Sequence, residues 1–259
     1  MTTSHFQPAA RQSAILARPS VLLPDAVCAA ALRALDQLAL GLVSAGISAN
    51  TITSICIALG AGAGVMLALG QFGIAATLMV VASLGDALDG LVARRSGTSS
   101  VGGALLDASG DRYQEFFFLG GLAMYFRASP PALLATLAAL AGSFMVSYGS
   151  AKAEALAVKV PPGAMRRAER AVCLCLATAV AAFWQPWAAT SGLPGWAGAL
   201  PLLIAVGLIA VVANVSAIRR MRLLARGAAG RTMAPKLPAP PPAPTPEASS
   251  RDLVRESSA

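Results

Sequence analysis

Four aspartates crowd one stretch of a chain that has only 12 acidic residues in 259. Asp86 and Asp89 are three apart and Asp107 and Asp111 four apart, within D-A-L-D-G-L-V-A-R-R-S-G-T-S-S-V-G-G-A-L-L-D-A-S-G-D. On a helix such residues share a face, with Cβ atoms about 5–6 Å apart. Each pair lies in or against an apolar run, where an isolated carboxylate is costly. Carboxylates brought together repel one another unless cations lie between them. Their hard oxygens suit Mg²⁺ or Mn²⁺, and four carboxylates suit two ions. Two such ions about 3.5–4 Å apart form a clamp for phosphoryl transfer between oxygens. Gly90, Ala93 and Gly103 leave room beside the carboxylates for a ligand to approach the backbone. Arg94 offers a bidentate fork to phosphate.

The elements that must hold these groups are written in the composition. The chain is 56% hydrophobic and 12% charged, against about 25% charged for a soluble domain. Six apolar runs of bilayer-crossing length can be drawn, over 51–70, 72–94, 101–126, 131–156, 168–189 and 197–219. Backbone in lipid must satisfy its own hydrogen bonds, so the reading is an all-α integral membrane protein with six transmembrane helices. The organisation expected is a disordered 1–23, an amphipathic juxtamembrane helix over 24–46, a six-helix domain over 47–224, and a disordered Pro/Ala-rich tail over 225–259. In the N-terminal helix Leu32, Leu35, Leu38, Ala39 and Leu42 recur at helical spacing, which predicts a helix lying on the membrane surface. Ser48 or Asn50 can cap the first span, and Gly60 and Gly64 within it suit close helix packing.

The net charge of +8 raises the question of nucleic acid. Its distribution answers with membrane topology instead. With the N-terminus inside, Arg94, Arg95, Lys152, Lys159, Arg166, Arg167, Arg170, Arg219, Arg220 and Arg222 all fall on the cytoplasmic side, and Arg127 alone marks an outer loop. The expected location is the cell membrane, multi-pass, with the aspartates at the cytoplasmic face. Cys28, Cys56, Cys173 and Cys175 show no metal-type spacing.

The pattern D-x2-D-G-x2-A-R-x8-G-x3-D-x3-D resembles the signature of the CDP-alcohol phosphotransferases. Asp86, Asp89, Gly90, Ala93, Arg94, Gly103, Asp107 and Asp111 match it at every fixed position. The resemblance implies a six-helix membrane bundle, a homodimer, and transfer of a substituted phosphoryl group from CDP-diacylglycerol to an alcohol, releasing CMP. It implies Asp86, Asp89 and Asp107 as metal ligands, and Asp111 as general base and further ligand. Gly90, Ala93, Arg94 and Gly103 would line the cytidine diphosphate site. The family often has Pro-Asn entering the first span, where this chain has Ala49-Asn50.

Asp111-Arg112-Tyr113, Ser147-Tyr148 and Glu169-Arg170 resemble the branch that makes phosphatidylinositol phosphate, which implies inositol 1-phosphate as acceptor. A phosphorylated acceptor needs a cationic pocket near the metals, and Lys152, Arg170, Arg219 and Arg220 are the candidates. In that branch a cation is common where Ser150 stands, so an unphosphorylated polyol stays open, as does a glycerol phosphate. A reading of another class is a membrane cation transporter or binding protein. The aspartates lie at one face with no second acidic cluster lining a path outward, which speaks against it.

Overall fold

Apolar run length sets helix length here, and polar or glycine-containing breaks set the turns. The structure is a computed structural model that describes residues 25–161 and 163–229. It is all-helical among those residues: α1 (Asp25–Ser44), α2 (Ala49–Ala68), α3 (Phe72–Arg95), α4 (Val101–Tyr125), α5 (Pro130–Ala155), α6 (Arg167–Thr190), a 3₁₀ turn (Gly195–Ala199) and α7 (Leu200–Ala228). Of the segments expected to be disordered, 1–23 and 230–259 fall outside the described residues, while 225–228 are helical and continue α7. The described helices through Gly227 form one compact unit.

Capping fixes where the first helices begin. Ser48 accepts from the Thr51 amide at 3.2 Å and so caps α2. Ser100 accepts from the Gly103 amide at 3.0 Å and caps α4. The turn between α3 and α4 needs Gly97, whose φ of +68° is left-handed. That turn is what folds the second aspartate pair back beside the first.

Five helical segments are long and apolar enough to cross a bilayer: α2, α3, α5, α6, and the 3₁₀ turn continued by α7. Six were expected. The sixth, α4, has the length at 25 residues but carries Asp107, Asp111, Arg112 and Glu115, and so fails on composition. It packs nonetheless on α2 and α5.

The α2–α4 contact is backbone on backbone. A Cβ on Gly64 would sit 2.5 Å from the Phe117 carbonyl oxygen, and one on Gly121 would run into the carbonyl of Gly64. Gly60 admits the Gln114 side chain, which a Cβ would meet at 2.9 Å. Small residues at a crossing let two helices approach this closely. The main core runs through Leu67, Phe72, Met79, Phe118, Leu122, Leu174, Leu202 and Ile209, contributed by α2, α3, α4, α6 and α7.

The first helix is docked rather than free. Ala39 is fully buried, with Leu42 and Val43 beside it, against Ile52 and Cys56 of α2 and Val92 of α3. Asp36 pairs with Arg95 at the end of α3. Leu38, assigned above to the apolar face, is 57% exposed. The packed stripe is Ala39, Leu42 and Val43, one position round from the face that the leucines alone suggest.

Candidate active site

The lower ends of α3 and α4 bring the two aspartate pairs together. One carboxylate oxygen from each of Asp86, Asp89 and Asp107 lies within 4.8 Å of the other two, the spacing of a shared cation. All three are hard oxygen donors, which fits Mg²⁺ or Mn²⁺. Asp89 is the most buried of them at 4% exposure. Its charge is met by the Thr53 hydroxyl, which donates to Oδ2 at 2.5 Å. The Gln114 amide, itself 2% exposed, reaches Oδ1 of Asp86 at 3.4 Å. These neighbours fix the rotamers of the candidate ligands, as outer-shell partners do in metal sites.

Asp111 lies outside that group of three. Arg167, the first residue of α6, reaches it with Nη2 2.5 Å from Oδ1. The other nitrogen, Nη1, donates to Oδ2 of Asp86 at 2.6 Å. One guanidinium thus spans a carboxylate from each pair. One turn along, Arg170 forms a second link between the same helices. Its Nε donates to Glu115 Oε1 at 2.5 Å, its Nη2 to Oε2 at 2.9 Å, and its Nη1 to the Met165 carbonyl at 2.5 Å. Arg170 is 1% exposed, so this is a buried, bidentate ion pair.

Beside Asp111 opens a cleft of about 330 Å³ lined by Ser147, Ser150, Gly163, Arg166, Arg167, Arg170, Arg220 and others. Arg170 and Arg167 are spent on carboxylates, and Arg112 donates to the Ala108 carbonyl of its own helix. Neither the Arg166 nor the Arg220 guanidinium forms an ion pair among the described residues, although the Arg166 backbone amide donates to Glu169 Oε2 at 3.0 Å. They lie near enough to repel each other. Arg220 donates one nitrogen to the Ser150 hydroxyl, while its Nε is buried without a partner. Two like charges over an open cleft form a site for an anion.

Of the residues singled out in the sequence, the structure gathers Asp86, Asp89 and Asp107 tightly, with Asp111 adjoining. Gly90 lies against Arg94, whose Nη1 a Cβ there would meet at 3.4 Å. A Cβ on Gly103 would sit 3.5 Å from Asn50 Oδ1, at the entry of α2. Ala93 is half-buried on α3 and Arg94 exposed. Arg170 and Arg220 line the cleft, whereas Lys152 and Arg219 are exposed and do not. Thr53, Gln114, Arg166 and Arg167 carried no site role in the sequence reading. A usable signal existed for Arg167: cations at i and i+3 on one helix match carboxylates at i and i+4, Asp111 and Glu115, on another.

Comparison with known proteins fits this arrangement. Residues 46–213 match the profile of the CDP-alcohol phosphatidyltransferase family. A phosphatidylinositol phosphate synthase of Mycobacterium marinum is 32% identical over 197 residues, 74% of this chain and 80% of that one. An archaetidylinositol phosphate synthase of Methanothermobacter thermautotrophicus is 32% identical over 137 residues, 53% of this chain and 68% of that one. Among solved structures, the Mycobacterium tuberculosis phosphatidylinositol phosphate synthase with CDP-DAG bound superposes with a TM-score of 0.66 at 25% identity, covering 78% of this chain and all of the other. The same enzyme in complex with manganese and citrate gives 0.66 at 26% identity, covering 77% and 93%.

Proposed function

The chain belongs to the CDP-alcohol phosphatidyltransferase family, and from that premise we propose that it transfers the phosphatidyl group of CDP-diacylglycerol to inositol 1-phosphate. It is a membrane transferase of phospholipid synthesis that depends on divalent metal. The observation that carries the acceptor is the Arg166–Arg220 pair facing the cleft beside Asp111. A dianionic phosphate between these guanidinium groups would relieve their repulsion and give the buried Nε of Arg220 an acceptor.

In this reading Asp86, Asp89 and Asp107 hold the divalent ions, with Asp111 as a further ligand. Bound there, the ions supply the positive charge that neutralises the diphosphate and its leaving group. Gly90, Ala93, Arg94 and Gly103 line the cytidine diphosphate site. Asp111 stands between the metal ligands and the cleft, where it takes the proton from the acceptor hydroxyl. The acceptor oxygen bonds to the lipid-bearing phosphorus, the bond from that phosphorus to the CMP oxygen breaks, and CMP leaves with the electron pair. The cleft walls fix the acceptor so that its hydroxyl rather than its phosphate faces Asp111.

Counting α4 as the sixth span, every basic helix end at α3, α5, α6 and α7 falls on one side, which supports a cytoplasmic active site in the cell membrane. The N-terminal α1 then lies along that face. A homodimer belongs to the same proposal and is checked by the mass of the detergent-purified particle. The deciding experiment incubates the purified chain with labelled CDP-diacylglycerol and, separately, inositol 1-phosphate, inositol and glycerol 3-phosphate. Phosphatidylinositol phosphate is the expected product. A lipid product from either other alcohol, with none from inositol 1-phosphate, refutes the acceptor.

A further inference from the structure

The four aspartates are divided three to one. Asp86, Asp89 and Asp107 converge, while Asp111 is engaged by Arg167. Arg167 also holds Asp86 Oδ2, so a fixed planar cation lies between one carboxylate of α3 and one of α4. Its side chain is 35% exposed, and it lines the acceptor cleft as well as the aspartate cluster. It therefore has two places to put its charge: between the aspartates, or into the cleft beside Arg166 and Arg220.

We propose that Arg167 is a positioning residue that couples binding of the second divalent ion to binding of the acceptor's phosphate. The proposal rests on the function above. A small hard cation such as Mg²⁺ needs a carboxylate oxygen at about 2.0–2.1 Å and tolerates little competition for it. Asp89 and Asp107 carry no bond to Arg167 and Asp86 keeps Oδ1 clear of it, so three carboxylates can still offer one oxygen each to a first ion. A second, which needs Asp111, must win that carboxylate from its ion pair with Arg167. Arg167, once released, keeps its charge, and the nearest open space is the cleft. There it adds a third guanidinium to an anion site. By the same linkage, an acceptor phosphate that draws Arg167 into the cleft frees Asp111. The chemical result is protection of the donor. Until an acceptor is bound, the base is tied to Arg167, so water in its place is not activated and the CDP-lipid is not hydrolysed.

The test is binding, with no CDP-lipid present. Mn²⁺ is titrated into the purified full-length protein and free Mn²⁺ is read by its electron paramagnetic resonance, with and without inositol 1-phosphate. The wild type is expected to bind one ion tightly and a second weakly, the second tightening about 5–150-fold with the phosphorylated acceptor, the usual range of such coupling. In Arg167→Gln the second ion binds more tightly without acceptor, and inositol 1-phosphate shifts it less than twofold. Arg167→Lys, which keeps the charge but not the two-pronged fork, gives an intermediate second affinity and serves should the glutamine variant not fold. Equal and independent Mn²⁺ sites in the wild type overturn the proposal, as does full coupling in the variants. If inositol 1-phosphate binds nowhere, the assigned acceptor fails, and the Mn²⁺ titrations of wild type and variants still decide the role of Arg167.

Discussion

Replacing the charge of Asp111 while keeping its shape removes the base, and one ligand of the second ion with it, while leaving the CDP-lipid contacts in place. Asp111→Asn is expected to lower CMP release by about 10²–10⁴-fold, the usual worth of a positioned general base, with CDP-diacylglycerol binding retained in an equilibrium assay. Wild-type turnover in that variant removes Asp111 as the base. Thr53→Val deletes the hydroxyl that meets Asp89 at nearly constant shape. It should weaken Mn²⁺ binding by about 10–100-fold, as loss of an outer-shell partner does, and an unchanged titration curve would assign Thr53 to helix packing alone. The aspartates themselves were legible in the sequence, because all four lie within 26 residues at helical spacings. Arg167 was legible only through the spacing it shares with Arg170, since its partner Asp86 is 81 residues away and membrane topology already accounts for a cation at that position. Thr53 was hidden for the same reason, standing 36 residues from Asp89.

At the scale of elements, the α2–α4 crossing is the contact least able to yield. Gly121→Ala puts a methyl group against the Gly64 carbonyl, a backbone atom that cannot rotate away. Overpacking of this kind costs about 1–3 kcal/mol, to be read as a fall in unfolding temperature in detergent. Gly120→Ala, one residue away, meets nothing within 4 Å and should not lower that temperature; equal losses in the two variants would mean that helix propensity, not the crossing, is being measured. Helix positions followed closely from apolar run length, since the expected 72–94 and 101–126 became Phe72–Arg95 and Val101–Tyr125. The exception is α7, expected to end at 219 and found to continue to Ala228. Charges end an apolar run, but they do not end a helix, and Met221, Leu223 and Leu224 carry it on with Leu224 buried. On α1 the expected face holds at Ala39 and Leu42, which pack on α2 and α3, and fails at Leu38, which is exposed.

For the whole molecule, metal dependence should be strict. Exhaustive treatment with EDTA is expected to abolish transfer, with recovery on adding Mg²⁺ or Mn²⁺, and turnover surviving chelation would sink a site built on Asp86, Asp89 and Asp107. The helix that carries Asp107 also constrains how the protein is made. Asp107, Asp111, Arg112 and Glu115 place four charges in nine residues of α4, and a charge near the centre of an inserting helix costs about 2.5–3.5 kcal/mol at the translocon. Arg170, which neutralises Glu115, lies 55 residues further along the chain. During synthesis α4 therefore emerges before the helix whose Arg170 pairs with its Glu115. It should wait at the translocon or the interface until α6 arrives. Ribosome-bound chains cut near residue 160 would leave α4 open to protease, and chains extended past Thr190 would protect it. Protection of α4 in the shorter chains would show that α2 and α3 alone suffice to shelter its charges. Read this way, the ion pairs joining α4 to α6 record an order of assembly as well as an arrangement of reacting groups.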